Sequence, residues 1–117
     1  VQAYGLTSAP IIYQLKAAYD RGVQVAVLLD GGGLSNNEPV YQDLKNAGIS
    51  VSMDKMPGIA HNKVMIIDDV KVITGSFNFT GAANTKNAEN LLLIEDAEVA
   101  DRYFINWQNR KANSTHP

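Results

Sequence analysis

The sequence predicts an α/β fold, a mixed β-sheet flanked by helices on both faces, and three observations lead there. Val23 to Asp30 (VQVAVLLD) is a nearly continuous apolar run, the pattern of a strand covered on both sides. Strand and helix patterns alternate from Val1 to Asp54, which implies parallel pairing through crossovers. Two further apolar runs, Asn62 to Asp68 and Val70 to Gly75, meet at an Asp-rich junction suited to a tight turn, so an antiparallel hairpin joins the parallel strands.

Each element has its own signal. Val1 to Leu6 reads as the end of a strand. Thr7 or Ser8 caps a helix with Pro10 in its first turn, whose apolar face is Ile11, Ile12, Leu15, Ala18 and Tyr19 and which stops by Gly22. After the glycine-rich loop Gly31 to Asn37, Glu38 to Ala47 forms a shorter helix ended by Gly48, and Ile49 to Asp54 forms a strand. Ser76 to Ala88, rich in Asn, Thr, Gly and Ala, reads as a long loop or short helix before a last strand, Glu89 to Glu95. Asp96 caps a final helix with an apolar stripe of Val99, Tyr103 and Trp107 beside Ala100 and Phe104. Residues 1–112 are expected to form a single domain, and Asn113 to Pro117 a frayed tail.

Composition narrows the functional classes. A chain of 117 residues supports one core, and 45% hydrophobic with 19% charged residues is ordinary for a globular domain. With no cysteine there is no disulfide framework, thiolate metal site or cysteine nucleophile. The longest apolar runs fall far short of the ~20 residues of a membrane span. A net charge of -2 and a pI near 5.5 exclude a broad phosphate-neutralising surface, so any basic surface is local.

The chemistry-bearing stretch is His61-x-Lys63, four residues to Asp68, six more to Gly75-Ser76, then Asn78. Residues i and i+2 of a strand share a face, so His61 sits beside a cation; Ser76 and Asn78 repeat that spacing, and Gly75 leaves room for a backbone or a phosphate to approach closely. Asp68 is expected at more than ~20 Å from His61 along an extended strand and is read as structural, meeting donors at the turn into Val70. Met65 and Ile67, inward companions of Lys63, are expected to carry that face of the strand into the core, leaving Lys63 at the rim of a cleft. Gly31 to Gly33 matches no phosphate-loop pattern and is read as turn-making. A metal site from His61, Asp68 and Glu89 is the weaker reading, because the other histidine, His116, lies in the tail.

This pattern resembles the H-x-K-x4-D-x6-G-S signature of the phospholipase D superfamily, and accident would produce it on the order of once per million chains this long. Thr7-Ser8-Ala9-Pro10, Gly75-Ser76-Phe77-Asn78-Phe79-Thr80 and Glu89-Asn90 extend the resemblance to the small single-motif bacterial endonucleases of that superfamily. That family's first strand region would lie upstream of Val1.

The resemblance implies a phosphodiesterase, foremost an endonuclease of broad specificity that needs no metal or other cofactor. His61 would be the nucleophile, Lys63 and Asn78 would hold the non-bridging oxygens with Ser76 in support, and Glu89 would accept the far ring N–H of His61. Because diester cleavage needs both a nucleophile and a proton donor, a single motif implies a symmetric homodimer. The expected substrate is DNA or RNA, with Lys55, Lys63 and Lys86 doubled into a local basic groove, and a periplasmic or secreted setting follows from the same resemblance. Two alternatives remain: a phospholipid substrate, with Met56-Pro57-Gly58-Ile59 as the apolar contact, and a catalytically silent nucleic-acid-binding module.

Overall fold

Two strand–helix–strand crossovers, one hairpin and a further antiparallel strand account for the sheet, as a computed structural model of the chain shows. The structure describes residues 1–32, 35–81 and 88–114. In chain order the elements are β1 (Gln2–Ala3), α1 (Ala9–Asp20), β2 (Ala26–Asp30), α2 (Glu38–Asn46), β3 (Ser50–Asp54), β4 (Lys63–Ile67), β5 (Lys71–Gly75), β6 (Leu91–Glu95) and α3 (Ala97–Ala112). The sheet order is β3-β2-β1-β4-β5-β6. β2 pairs in parallel with both β1 and β3, β4 is antiparallel to β1, and β5 is antiparallel to both β4 and β6. The predicted α/β class with a mixed sheet is what the chain adopts.

Helices cover both faces. On one face α1 and α2 pack over a core of Ala3, Leu6, Val27, Leu29, Tyr41, Leu44, Val51 and Met53. On the other, α3 runs across the sheet: Ala100, Val99 and Tyr103 lie against Val64 and Val72, the Trp107 indole N–H donates to the Val1 carbonyl at 3.0 Å, and Arg110 reaches Asp54 on β3. Phe104 stacks against Trp107. The cap expected at Asp96 forms, its carboxylate accepting from the Glu98 and Val99 N–H groups. Ser8 occupies the cap of α1 but makes no side-chain capping bond. Among the described residues no helix is long and apolar enough to cross a membrane.

β1 is only two residues long yet sits in the middle of the sheet. Gln2 and Ala3 pair with Leu28 and Leu29 on one side and with Val64 and Lys63 on the other. This joint brings the start of β4 next to the end of β1. The β4–β5 turn is tight: Asp68 and Asp69 adopt φ of 55° and 59°, and the Val70 N–H donates to the Ile67 carbonyl. Aspartate tolerates this left-handed region better than most residues, so backbone conformation is what Asp68 contributes, at the end of β4 away from Lys63.

One expectation fails here. Ile67 does not continue an inward face; it is 39% exposed, because β4 passes from buried at Lys63 and Val64 to open at the hairpin turn. The exposed strand is β6, where Leu91, Leu92 and Leu93 are 54%, 58% and 60% exposed.

Candidate active site

An open cleft of about 580 Å³ lies at the start of β4, the end of β5 and the approach to β6. It is lined by His61, Asn62, Lys63, Val64, Thr74, Gly75, Ser76, Asn78, Glu89 and Tyr103. The five side chains singled out in the sequence, His61, Lys63, Ser76, Asn78 and Glu89, are thus brought together in one place. Asp68 is not among them, so the His61, Asp68 and Glu89 trio does not converge, and among the described residues no acidic and histidine side chains group to hold a metal ion.

His61 is exposed, as is Ser76. The His61 Nδ1 lies 2.9 Å from the Lys63 Nζ, which also donates to the His61 carbonyl. The Tyr4 ring packs on the imidazole with centroids 4.8 Å apart and lies 5.5 Å from the Lys63 ammonium, a cation–π distance. Tyr4 was missed at the sequence level, since nothing local distinguishes an aromatic at a strand end from a packing residue.

Lys63 is more than a rim residue: it is 6% exposed, because β1 pairs directly against it through Ala3. Burial lowers its pKa, and the nearby Glu89 carboxylate opposes that effect. A buried ammonium is costly unless anions face it. The cleft is therefore a place where one more anion would be welcome.

Gly75 explains how β6 reaches the site. Its φ is +149°, and a Cβ there would lie 2.1 Å from the Asn90 carbonyl oxygen. The close approach expected of this glycine is made by the β6 backbone. Ser76 then fixes that backbone twice: its N–H donates to the Asn90 carbonyl at 3.0 Å, and its Oγ accepts from the Asn90 N–H at 2.9 Å. The hydroxyl proton remains to donate. Thr74, which also lines the cleft, carries no local sequence signal for it, and neither does Tyr4.

Asn78 follows in a segment tied to the start of the chain, where Phe79 N–H donates to the Gly5 carbonyl and the Thr7 and Ser8 N–H groups donate to that of Phe79. Two acceptors in the cleft stand without partners among the described residues: the buried Oδ1 of Asn78 and Oε2 of Glu89. The bond expected from Glu89 to the far ring nitrogen of His61 is therefore not made through that oxygen. Buried unpaired acceptors are rare, and these two give the cleft unmet capacity to accept hydrogen bonds. Of the lysines expected to form a basic groove, Lys55 is exposed, Lys63 is buried, and Lys86 lies outside the described residues.

The sequence and the fold have known counterparts. Residues 1–109 match the family model described as cardiolipin synthase, PLD-like domain. The chain is 54% identical over 114 residues to a phospholipase D of Rickettsia conorii, covering 97% of this chain and 57% of that protein. It is 36% identical over 102 residues to the mitochondrial cardiolipin hydrolase of Homo sapiens, covering 87% of this chain and 40% of the other. Among solved structures, the phospholipase D family member Nuc from Salmonella typhimurium superposes with a TM-score of 0.88 at 38% identity, over 97% of this chain and 77% of that one. NucT from Helicobacter pylori shares the fold, with a TM-score of 0.83 at 23% identity over 99% and 79% of the two chains. The chain spans about 57% of the length of the phospholipase D it matches.

Proposed function

The chain belongs to the phospholipase D-like family, and we propose that it acts as a phosphodiesterase through a phosphohistidine on His61, with nucleic acid as substrate and a second copy completing the site. The observation that carries this reading is the exposed His61 imidazole held at 2.9 Å from a buried lysine in an open polar cleft.

The proposed chemistry follows from what each group can do. The His61 ring nitrogen not facing Lys63 attacks phosphorus, and the bond from phosphorus to the leaving oxygen breaks. A second imidazole gives that oxygen its proton, then takes one from water as the water displaces histidine and restores the free ring. One imidazole cannot serve as nucleophile and acid in the same step. The cleft described above contains one, so His61 of a symmetric partner is the simplest source of the other. The acid enters as imidazolium, protonated on both nitrogens, so that giving up one proton leaves a neutral ring; the nucleophile is the neutral tautomer whose attacking nitrogen is bare and whose Nδ1–H is directed to an acceptor such as Glu89. Lys63, the Asn78 amide and the Ser76 hydroxyl face the non-bridging oxygens, where charge is held throughout.

A nucleic-acid strand suits the cleft better than a lipid, because polar side chains line it and Tyr4 and Tyr103 offer rings beside it for a base or sugar. The phospholipid reading keeps a specific observation of its own: Ile59 is 52% exposed two residues before His61, and the Rickettsia relative at 54% identity is named phospholipase D.

The deciding test is cleavage of plasmid and single-stranded DNA in EDTA by the wild type and His61→Ala. Chelator-resistant cleavage that falls on the order of 10³-fold or more in the variant is the expected result. Cleavage restored only by added metal overturns the metal-free mechanism, and turnover of phospholipid vesicles with none of DNA moves the substrate to lipid.

A further inference from the structure

We propose that the buried carboxylate of Asp30 is a positioning residue for His61, an inference that rests on the reading of His61 as the reacting group. Asp30 ends β2 and is 2% exposed, and among the described residues it has no ion-pair partner. Backbone N–H groups answer its charge instead. Ala60, the residue before His61, donates to Oδ1 at 2.8 Å, and Gly32 donates to Oδ2 at 3.1 Å.

The same end of β2 holds the other side of His61. The Asn37 side-chain amide donates both to the Asp30 carbonyl at 3.0 Å and to the Tyr4 carbonyl at 2.8 Å. The Tyr4 N–H in turn donates to the Asn62 carbonyl at 2.9 Å, and the Tyr4 ring lies on the imidazole. His61 is therefore fixed through the residue before it, the residue after it and its own ring.

The anchor matters because the segment between β3 and β4 has no regular structure of its own, passes through Gly58 at φ of 86°, and exposes Ile59 and His61. If Ala60 moves away, a buried carboxylate loses a charge-assisted bond, so the carboxylate opposes that motion. Asp54 supplies the contrast. It pairs with Asp30 in register at the end of β3 and is equally buried, but it is satisfied by Arg110 and by the Met56 N–H, farther from His61.

The test compares Asp30→Ala, Asp30→Asn and Asp54→Asn in the full chain. Three quantities are read: kcat and KM on a chromogenic aryl phosphodiester, the thermal midpoint, and the NMR shifts of the His61 ring protons, which the Tyr4 ring displaces. D30A is expected to lower kcat roughly 10²-fold with KM changed less than about threefold, since a misplaced nucleophile weakens the transition state and not binding. The His61 ring resonances move with it. D30N, which keeps one acceptor for the Ala60 N–H, recovers kcat to within about tenfold of wild type. D54N lowers the thermal midpoint and leaves kcat and the His61 resonances in place. Wild-type kcat and unmoved resonances in D30A overturn the inference, as does a kcat loss that D54N reproduces at equal destabilisation. If D30A does not fold, the D30N shifts and kcat decide alone. If the wild type hydrolyses no diester, the reading of function fails, while the ring resonances still decide whether Asp30 positions His61.

Discussion

The two halves of the sheet obey different rules. In the parallel half, β2 and β3 are buried along nearly their whole length, down to the aspartates at their ends. In the antiparallel half, β5 fully buries only Val72 and β6 has no buried residue. In the parallel half the crossover helices α1 and α2 cover one face and α3 reaches across the other as far as β3, whereas hairpin strands can leave a face free. The candidate functional groups sit where the second rule begins, at the start of β4, the end of β5 and the approach to β6. The parallel half thus acts as a frame that reaches the site through hydrogen bonds, and the antiparallel half presents the side chains.

Substitutions in each half should break this comparison in different ways. The largest effect on folding is expected in the antiparallel half from Gly75→Ala, because the added carbon would meet the Asn90 oxygen at 2.1 Å. Either β5 and β6 separate or the Ser76–Asn90 clamp opens, at a cost of about 3 kcal/mol or more, and activity disappears with it. Gly22→Ala, at φ of 91° in open space on the parallel side, should cost only about 1 kcal/mol with activity kept. Chemical denaturation of both variants measures the difference, and equal losses would show that the close approach at Gly75 is not rigid.

Next in size is Arg110→Ala in the parallel half. It leaves the fully buried Asp54 carboxylate without its two arginine bonds of 2.6 and 3.0 Å. Breaking a buried pair costs about 3–5 kcal/mol, and the partial exposure of Arg110 brings the expectation nearer to about 2 kcal/mol. The half should weaken without loss of kcat. A proportionate fall in kcat would mean that the frame and the site are not separable.

The smallest effect is a shift along the pH axis. Burial, partly opposed by Glu89, lowers the Lys63 pKa below the ordinary lysine value. The unfolded chain therefore holds that proton more tightly than the folded one. The cost of keeping Lys63 charged is present at neutral pH and is relieved as pH rises through the lowered pKa, so this group's contribution to stability improves there. Under the proposed mechanism activity moves the other way, since the charge that would meet the non-bridging oxygens is lost. The rate should decline on the alkaline side before an ordinary lysine would titrate. Lys63→Arg, with lower activity at neutral pH, should lose that alkaline limb; a limb unchanged in this variant would assign the titration elsewhere.

Some of the site was legible because its order is local. The i, i+2 spacing of His61 and Lys63 at the start of a strand, the glycine at a close approach and the Asp-rich turn each concern residues near one another in the chain, where side-chain period and backbone conformation are set by short-range sterics. The element order followed for the same reason, from apolar runs, Pro10, Gly48 and the Asp96 cap. Tertiary structure alone decided the rest. It inserted a two-residue strand at the centre of the sheet, buried Lys63 against Ala3 and left Ile67 and Leu91 to Leu93 in the open. It also brought Tyr4 onto His61, Asp30 to Ala60 and Arg110 to Asp54 across 30 and 56 residues of chain in the last two cases. Such contacts have no sequence period, because they depend on which strands become neighbours, and that choice is made by the burial of the whole sheet rather than by any residue in it.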